Sequence, residues 1–188
     1  MSARRFLHET FHVERQTQRF RELIVYISQK SVTDPSFGAV KLNKILYHAD
    51  FRAFERFGVP ITGVRYFRLP QGPAPRSLLV VRRQLASEGV IEVQERDLGQ
   101  GYIQHRTVAL RDPILTFFSG DELALVDEVI GELWQQNARE VSDASHDVRW
   151  RVLQHKDPVP YEFAYLSDED VSEAEERRTE ELANDLGW

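Results

Sequence analysis

His8-Glu9-Thr10-Phe11-His12 spells H-E-x-x-H. On a helix this spacing puts two imidazoles on one face, where they can hold zinc while the glutamate acts as general base on a zinc-bound water. A catalytic zinc needs a third protein ligand, but no G-x-x-H continuation follows His12 and no later residue announces itself in that role. With six histidines in 188 residues, a chance match is unsurprising. The expectation is therefore a packing segment in which Phe6 and Phe11 tuck against the first helix, with no metal bound. A zinc metalloprotease is kept as a remote alternative.

Ser145-His146-Asp147 has the letters of a hydrolase triad. Adjacent side chains diverge on a helix and face opposite ways on a strand, so these three cannot assemble one. Their roles are read as local: Ser142 or Asp143 caps a helix, and His146 packs on Trp150 four residues on. The chain lacks a phosphate-cradling G-x-x-x-x-G-K-[ST], and Gly99 and Gly101 are followed by neither a third glycine nor a helix. No carboxylate pair suggests an acid/base couple. The chain reads as non-catalytic, with no cofactor.

The remaining chemistry is recognition. Lys41, Lys44, Arg65, Arg68, Arg76, Arg82, Arg83, Arg96 and Arg106 make the middle of the chain basic, and a helix followed by a hairpin can form a winged helix-turn-helix. A DNA-binding regulator acting on its own operon is thus the main alternative. Against it stand a pI of 5.6 and a would-be recognition helix that opens Pro75-Arg76-Ser77 and continues with four apolar residues, Leu78 to Val81. Base edges call for polar side chains.

The elements that position these residues follow from period and punctuation. A first helix is read from about Arg15 to Lys30, with Phe20, Leu23, Ile24 and Ile27 inward. A second runs from about Val40 to Phe57, with Leu42, Ile45, Leu46, Ala49 and Ala53 on one stripe, Lys44, Arg52 and Glu55 largely off it, and Gly58 as its stop. Pro60, Pro70, Pro73 and Pro75 stiffen the crossing to a third helix that buries Leu78, Val81 and Leu85 and ends at Gly89. Val90–Glu95 and Tyr102–Leu110 alternate as strands of a hairpin around Asp97-Leu-Gly-Gln-Gly101. Ser119 and Glu122 form a capping box for a fourth main helix that buries Leu123, Val126, Ile130, Leu133 and Trp134. A short helix over Asp143–Leu153 and an irregular Pro158–Tyr161 crossing follow, and Ser167 caps a final acidic helix. The fold class is mainly α (α+β): one helical domain with one small antiparallel hairpin between the third and fourth main helices. Its divisions are an N-terminal extension (1–14), the helical domain (15–166) and the acidic helix (167–188).

Composition agrees with a single globular core: 41% hydrophobic, 29% charged, no cysteine. Without cysteines there are no disulfides or thiolate metal sites, and without a long apolar run or a signal-peptide pattern the cytoplasm is the default. The net charge of −6 hides a split: residues 1–100 carry +6 and residues 101–188 carry −12. Segregated charge of this kind marks an interaction tail or a solvated helix.

Lys41-Leu-Asn-Lys44-Ile-Leu46-Tyr47-His-Ala-Asp50, Gly58-Val-Pro60-Ile-Thr-Gly-Val-Arg65-Tyr66 and Gln71-Gly72-Pro73-Ala-Pro75, in that order, resemble the Panacea domain, the SocA-like antitoxin domain of bacterial toxin-antitoxin systems. Ser145-His146 with Trp150, then Val159-Pro-Tyr-Glu162, are similar to the closing part of the pattern, so the resemblance spans roughly residues 17 to 165. It implies a binding protein that neutralises a cognate toxin encoded beside it in a bacterial genome, prophage or mobile element. In one branch such a protein also delivers its toxin to a AAA+ protease. The partner surface is expected on the proline-rich crossing, where Arg65, Tyr66, Arg68, Gln71 and Arg76 would present aromatic, amide and guanidinium groups from a stiff backbone.

Overall fold

The computed structural model describes residues 3–166, with side chains from Glu14 onward, and five helical positions beyond them: 177, 178, 181, 183 and 184. Most of the acidic helix expected over 167–188 lies outside the described residues.

Helix α1 spans Ala3–Lys30, so the helix read from Arg15 begins twelve residues earlier. From Phe20 to Ser28 every position except Arg21 is buried or nearly so, which takes the second half of α1 through the interior. Helix α2, Ala39–Phe57, ends where predicted: Gly58 adopts φ +73° and its N–H donates to the Phe54 carbonyl at 2.9 Å. Its surroundings differ from an amphipathic helix docked by one stripe. All residues from Lys41 to Phe51 except His48 are buried, because α1, the helices over Gly120–Glu132 and Ala138–Asp143, the hairpins and the last 3₁₀ turn enclose it. Leu42, Ile45, Leu46, Ala49 and Ala53 join the main core, and Tyr47 and Phe51 join a second, aromatic cluster with Tyr66 and Val159.

The proline-rich crossing is not an unpaired strap. Strands β1 (Tyr66–Leu69) and β2 (Gly72–Pro75) form a hairpin, Tyr66 facing Pro75 and Leu69 facing Gly72, and β5 (Pro158–Val159) pairs with the other side of β1. The sheet order β2-β1-β5 leaves β2 at an edge. There Pro73 and Pro75 can sit in a strand without breaking a ladder, since an edge has a side whose N–H groups need no strand partner.

Helix α3 (Ser77–Ser87) buries Leu78, Val81 and Leu85 as predicted, and the expected hairpin follows as β3 (Ile91–Asp97) and β4 (Ile103–Ala109), paired from Ile91–Ala109 to Asp97–Ile103. Helix α4 (Gly120–Glu132) opens with the Ser119/Glu122 capping box and buries Leu125, Val126, Val129 and Ile130. Of the helix read over Asp143–Leu153 only α6 (Val148–Arg151) forms, because Asp147 accepts from the Trp150 N–H and starts it there; α5 (Ala138–Asp143), capped by Asn137, precedes it. Short 3₁₀ turns lie at Leu115–Phe117 and Tyr161–Tyr165. The architecture is mainly α with a small β component. Among the described residues no helix is long and apolar enough to cross a membrane.

Candidate functional site

Two polar residues of α2 hold the β1–β2 hairpin by its carbonyls. Asn43 Nδ2 donates to the Pro73 carbonyl at 2.9 Å, and Lys44 Nζ donates to the Gln71 carbonyl at the hairpin turn. Ser142 Oγ reaches the same carbonyl at 3.0 Å, and Trp150 Nε1 donates to Leu69 O at 2.9 Å. One turn earlier, Lys41 pairs with Asp34 at 2.7 Å, both side chains buried. Nearly two turns later, Asp50 accepts from the Thr62 N–H at 2.7 Å, the Thr62 hydroxyl, and the Tyr66 hydroxyl at 2.9 Å. The Lys41-to-Asp50 run is thus a ladder of buried polar anchors. Each fixes a turn or strand arriving from elsewhere in the chain, as buried polar groups must.

Burial sets the electrostatics. It pulls the Lys44 ammonium down to about 7 against the opposing charge of Asp147. It pushes the Asp50 carboxyl up to about 6 although three donors favour its charged form.

The five residues expected to meet a partner separate into inward and outward sets. Tyr66 is a correction: it is 1% exposed, its ring packs on Tyr47 and Phe51, and its hydroxyl is committed to Asp50. The first position of β1 faces the aromatic cluster, so Tyr66 is core. Arg68 is half-buried, its guanidinium carbon 3.7 Å from the centre of the Trp150 ring, on which His146 also stacks at 4.1 Å. The predicted His146–Trp150 contact therefore forms, with Arg68 as an unforeseen third layer. Arg65, Gln71 and Arg76 are exposed, and Arg76 lies 4.0 Å over the Phe67 ring.

Beside these outward residues the hairpin, the start of α2 and α3 enclose a groove of about 530 Å³, lined chiefly by apolar side chains. Leu79 lines it and, with Val80, continues the apolar surface outward; they are 54% and 53% exposed. The Leu78–Val81 run held the signal: four consecutive apolar residues cover more than one helical face, so some must look outward.

The cap expected at Ser142 or Asp143 falls elsewhere: Asn137 caps α5 and Asp147 caps α6, while Ser142 and Asp143 lie inside α5. Ser145 Oγ donates to Ser142 O at 2.7 Å, Asp147 caps α6 and His146 stacks on Trp150, so no triad forms. The H-E-x-x-H run lies within α1, and its side chains are outside the described ones. Among the described residues no group of three or more histidines and carboxylates could hold a metal.

Residues 42–151 match the family model described as "Antitoxin SocA-like, Panacea domain". No protein of curated function and no solved structure matches the chain.

Proposed function

This chain belongs to the antitoxin SocA-like, Panacea domain family, and from that premise we propose that it neutralises a cognate toxin by binding it directly. The toxin is the product of the adjacent reading frame, and the encounter takes place in the cytoplasm. The binding surface is the outer side of the β1–β2 hairpin with the neighbouring face of α3, where Gln71, Arg76 and Leu79 line the groove, with exposed Val80 next to Leu79 and exposed Arg65 just before β1. The observation that carries this reading is the exposure of Leu79 and Val80 beside a hairpin braced from below by Asn43, Lys44 and Trp150. A preorganised apolar patch rimmed by guanidinium groups loses little freedom on association and has the composition of interface hot spots. A stable complex requires about 800 Å² buried on each partner.

The acidic segment 167–188 supplements this surface by steering a basic partner, an effect carried by the on-rate at low salt. Hand-over to a protease is compatible with the same bound state. The chemistry of α3 supports a protein partner over DNA, since Leu79 and Val80 offer base edges no hydrogen bonds.

Co-expression with the adjacent gene product tests the reading: cells survive toxin induction and the two proteins co-purify. Absence of both complex and protection removes it. A mobility shift on the upstream promoter, with no toxin complex, would transfer the function to DNA binding.

A further inference from the structure

Of the thirteen residues that line the groove, two are arginines and none is acidic. Arg76 is exposed. Arg82 is only 7% exposed: its Nε donates to Thr107 Oγ1 at 3.0 Å, its Nη2 is buried without a hydrogen-bond partner, and no carboxylate among the described residues pairs with it. Burial pulls its ionisation downward with no opposing acid. Asn43, which also lines the groove, is 9% exposed; its Nδ2 is used on Pro73, while its Oδ1 is buried without a partner. A buried guanidinium lacking an anion and a buried amide oxygen lacking a donor are both unfavourable, and proteins rarely retain them without a use.

Arg82 and Asn43 are both among the residues that line this groove, and the unpartnered atom of each, now covered, specifies what would satisfy it. Arg82 requires an anion, with Arg76 on the same wall to add positive charge. Asn43 Oδ1 requires an N–H donor, which a peptide backbone supplies. The apolar lining requires an aliphatic or aromatic neighbour, and the continuation of apolar surface onto Leu79 and Val80 calls for an occupant that extends beyond the groove. We infer that the groove is the anchoring pocket for an acidic side chain of the bound toxin: an aspartate or glutamate whose carboxylate pairs with Arg82, whose backbone N–H donates to Asn43, and whose apolar sequence neighbour packs against Leu79. This inference rests on the antitoxin reading and adds the chemistry of the contact.

The test replaces both members of the buried pair, Arg82→Met with Thr107→Val, so that neither is left unsatisfied. With its unpaired charge gone, the free double variant should melt at or above the temperature of the wild-type chain. Its dissociation constant for the adjacent gene product should rise at least tenfold. The wild-type Arg82 Nε–Hε resonance should move when that product is added. Unchanged affinity with an unmoved resonance overturns the pocket while leaving the antitoxin reading intact, whereas failure of the wild-type chain to form any complex removes both. A lower melting temperature would show that Arg82 serves the fold, and overturns the inference. A resonance that moves on truncation of residues 167–188 but not on addition of the gene product identifies the chain's own acidic segment as the occupant, with the same consequence.

Discussion

The ammonium of Lys44 fills the space into which a side chain at Gly72 would grow. A Cβ on Gly72 would lie 2.1 Å from Lys44 Nζ and 2.3 Å from Ser145 Oγ, and the glycine already has φ +92°. Lys44, 0% exposed, thus supports the β1–β2 turn by donating to the Gln71 carbonyl and by fitting beneath the one residue of that turn that lacks a side chain.

Gly72→Ala should therefore be costly twice over, through positive φ and through the two displaced polar atoms. The expected loss is at least about 2 kcal/mol, or roughly 5 °C in Tm. A thermal melt within about 1 °C of the wild-type chain would contradict the close approach.

Lys44 should leave a signature in alkaline stability. Its folded-state pKa, about 7, lies below the ordinary 10.5 because burial disfavours the charge. The folded chain therefore binds fewer protons than the unfolded chain between these values, and this contribution to stability rises as pH climbs from about 7. Lys44→Met should abolish that increment while Ser142 keeps its bond to Gln71 O. Urea midpoints of both chains from pH 7 to 9.5 measure the difference; parallel curves would show that Lys44 is not desolvated.

Asp50 has the opposite slope. Burial raises its folded-state pKa to about 6 from the ordinary 3.8, so the folded chain holds the proton more tightly. The associated stability is fully present below about pH 4 and is lost as pH rises through 6. Relative to Asp50→Asn, the wild-type chain should lose stability across that window, by an amount of the order of 3 kcal/mol at neutral pH. A relative gain with rising pH would mean that the Thr62 and Tyr66 donors outweigh burial.

Leu79→Ser and Val80→Ser separate binding from folding. Both side chains are more than half exposed, so each change should shift stability by no more than about 0.5 kcal/mol. The pair together should abolish protection in the co-expression assay. Full protection by a normally folded double variant would move the interface away from α3.

Local signals were legible wherever a residue acts on its immediate neighbours. Gly58 stops α2 through its own backbone, and Ser119 with Glu122 closes a box spanning four residues. The β3–β4 hairpin shows in alternation around its glycine turn. The ordered motifs around Lys41–Asp50 and Gly58–Pro75 pointed to the family that the match over 42–151 bears out. The start of α6 was misplaced because Asp147, taken as one letter of a false triad, is its helix cap.

Helix positions, turns and family membership were properties of short stretches, and the chain carried them openly because capping, glycine torsions and apolar period act within a few residues. The burial of Lys41 and Lys44, the inward turn of Tyr66, and the convergence of Asn43 and Arg82 on one groove could emerge only after folding. A hydrophobic period reports which face of an isolated helix seeks cover. It does not report that partners from residues 66–75 and 120–165 will enclose α2 on its remaining faces, and that enclosure makes its lysines interior and sets Asn43 and Arg82 along one groove.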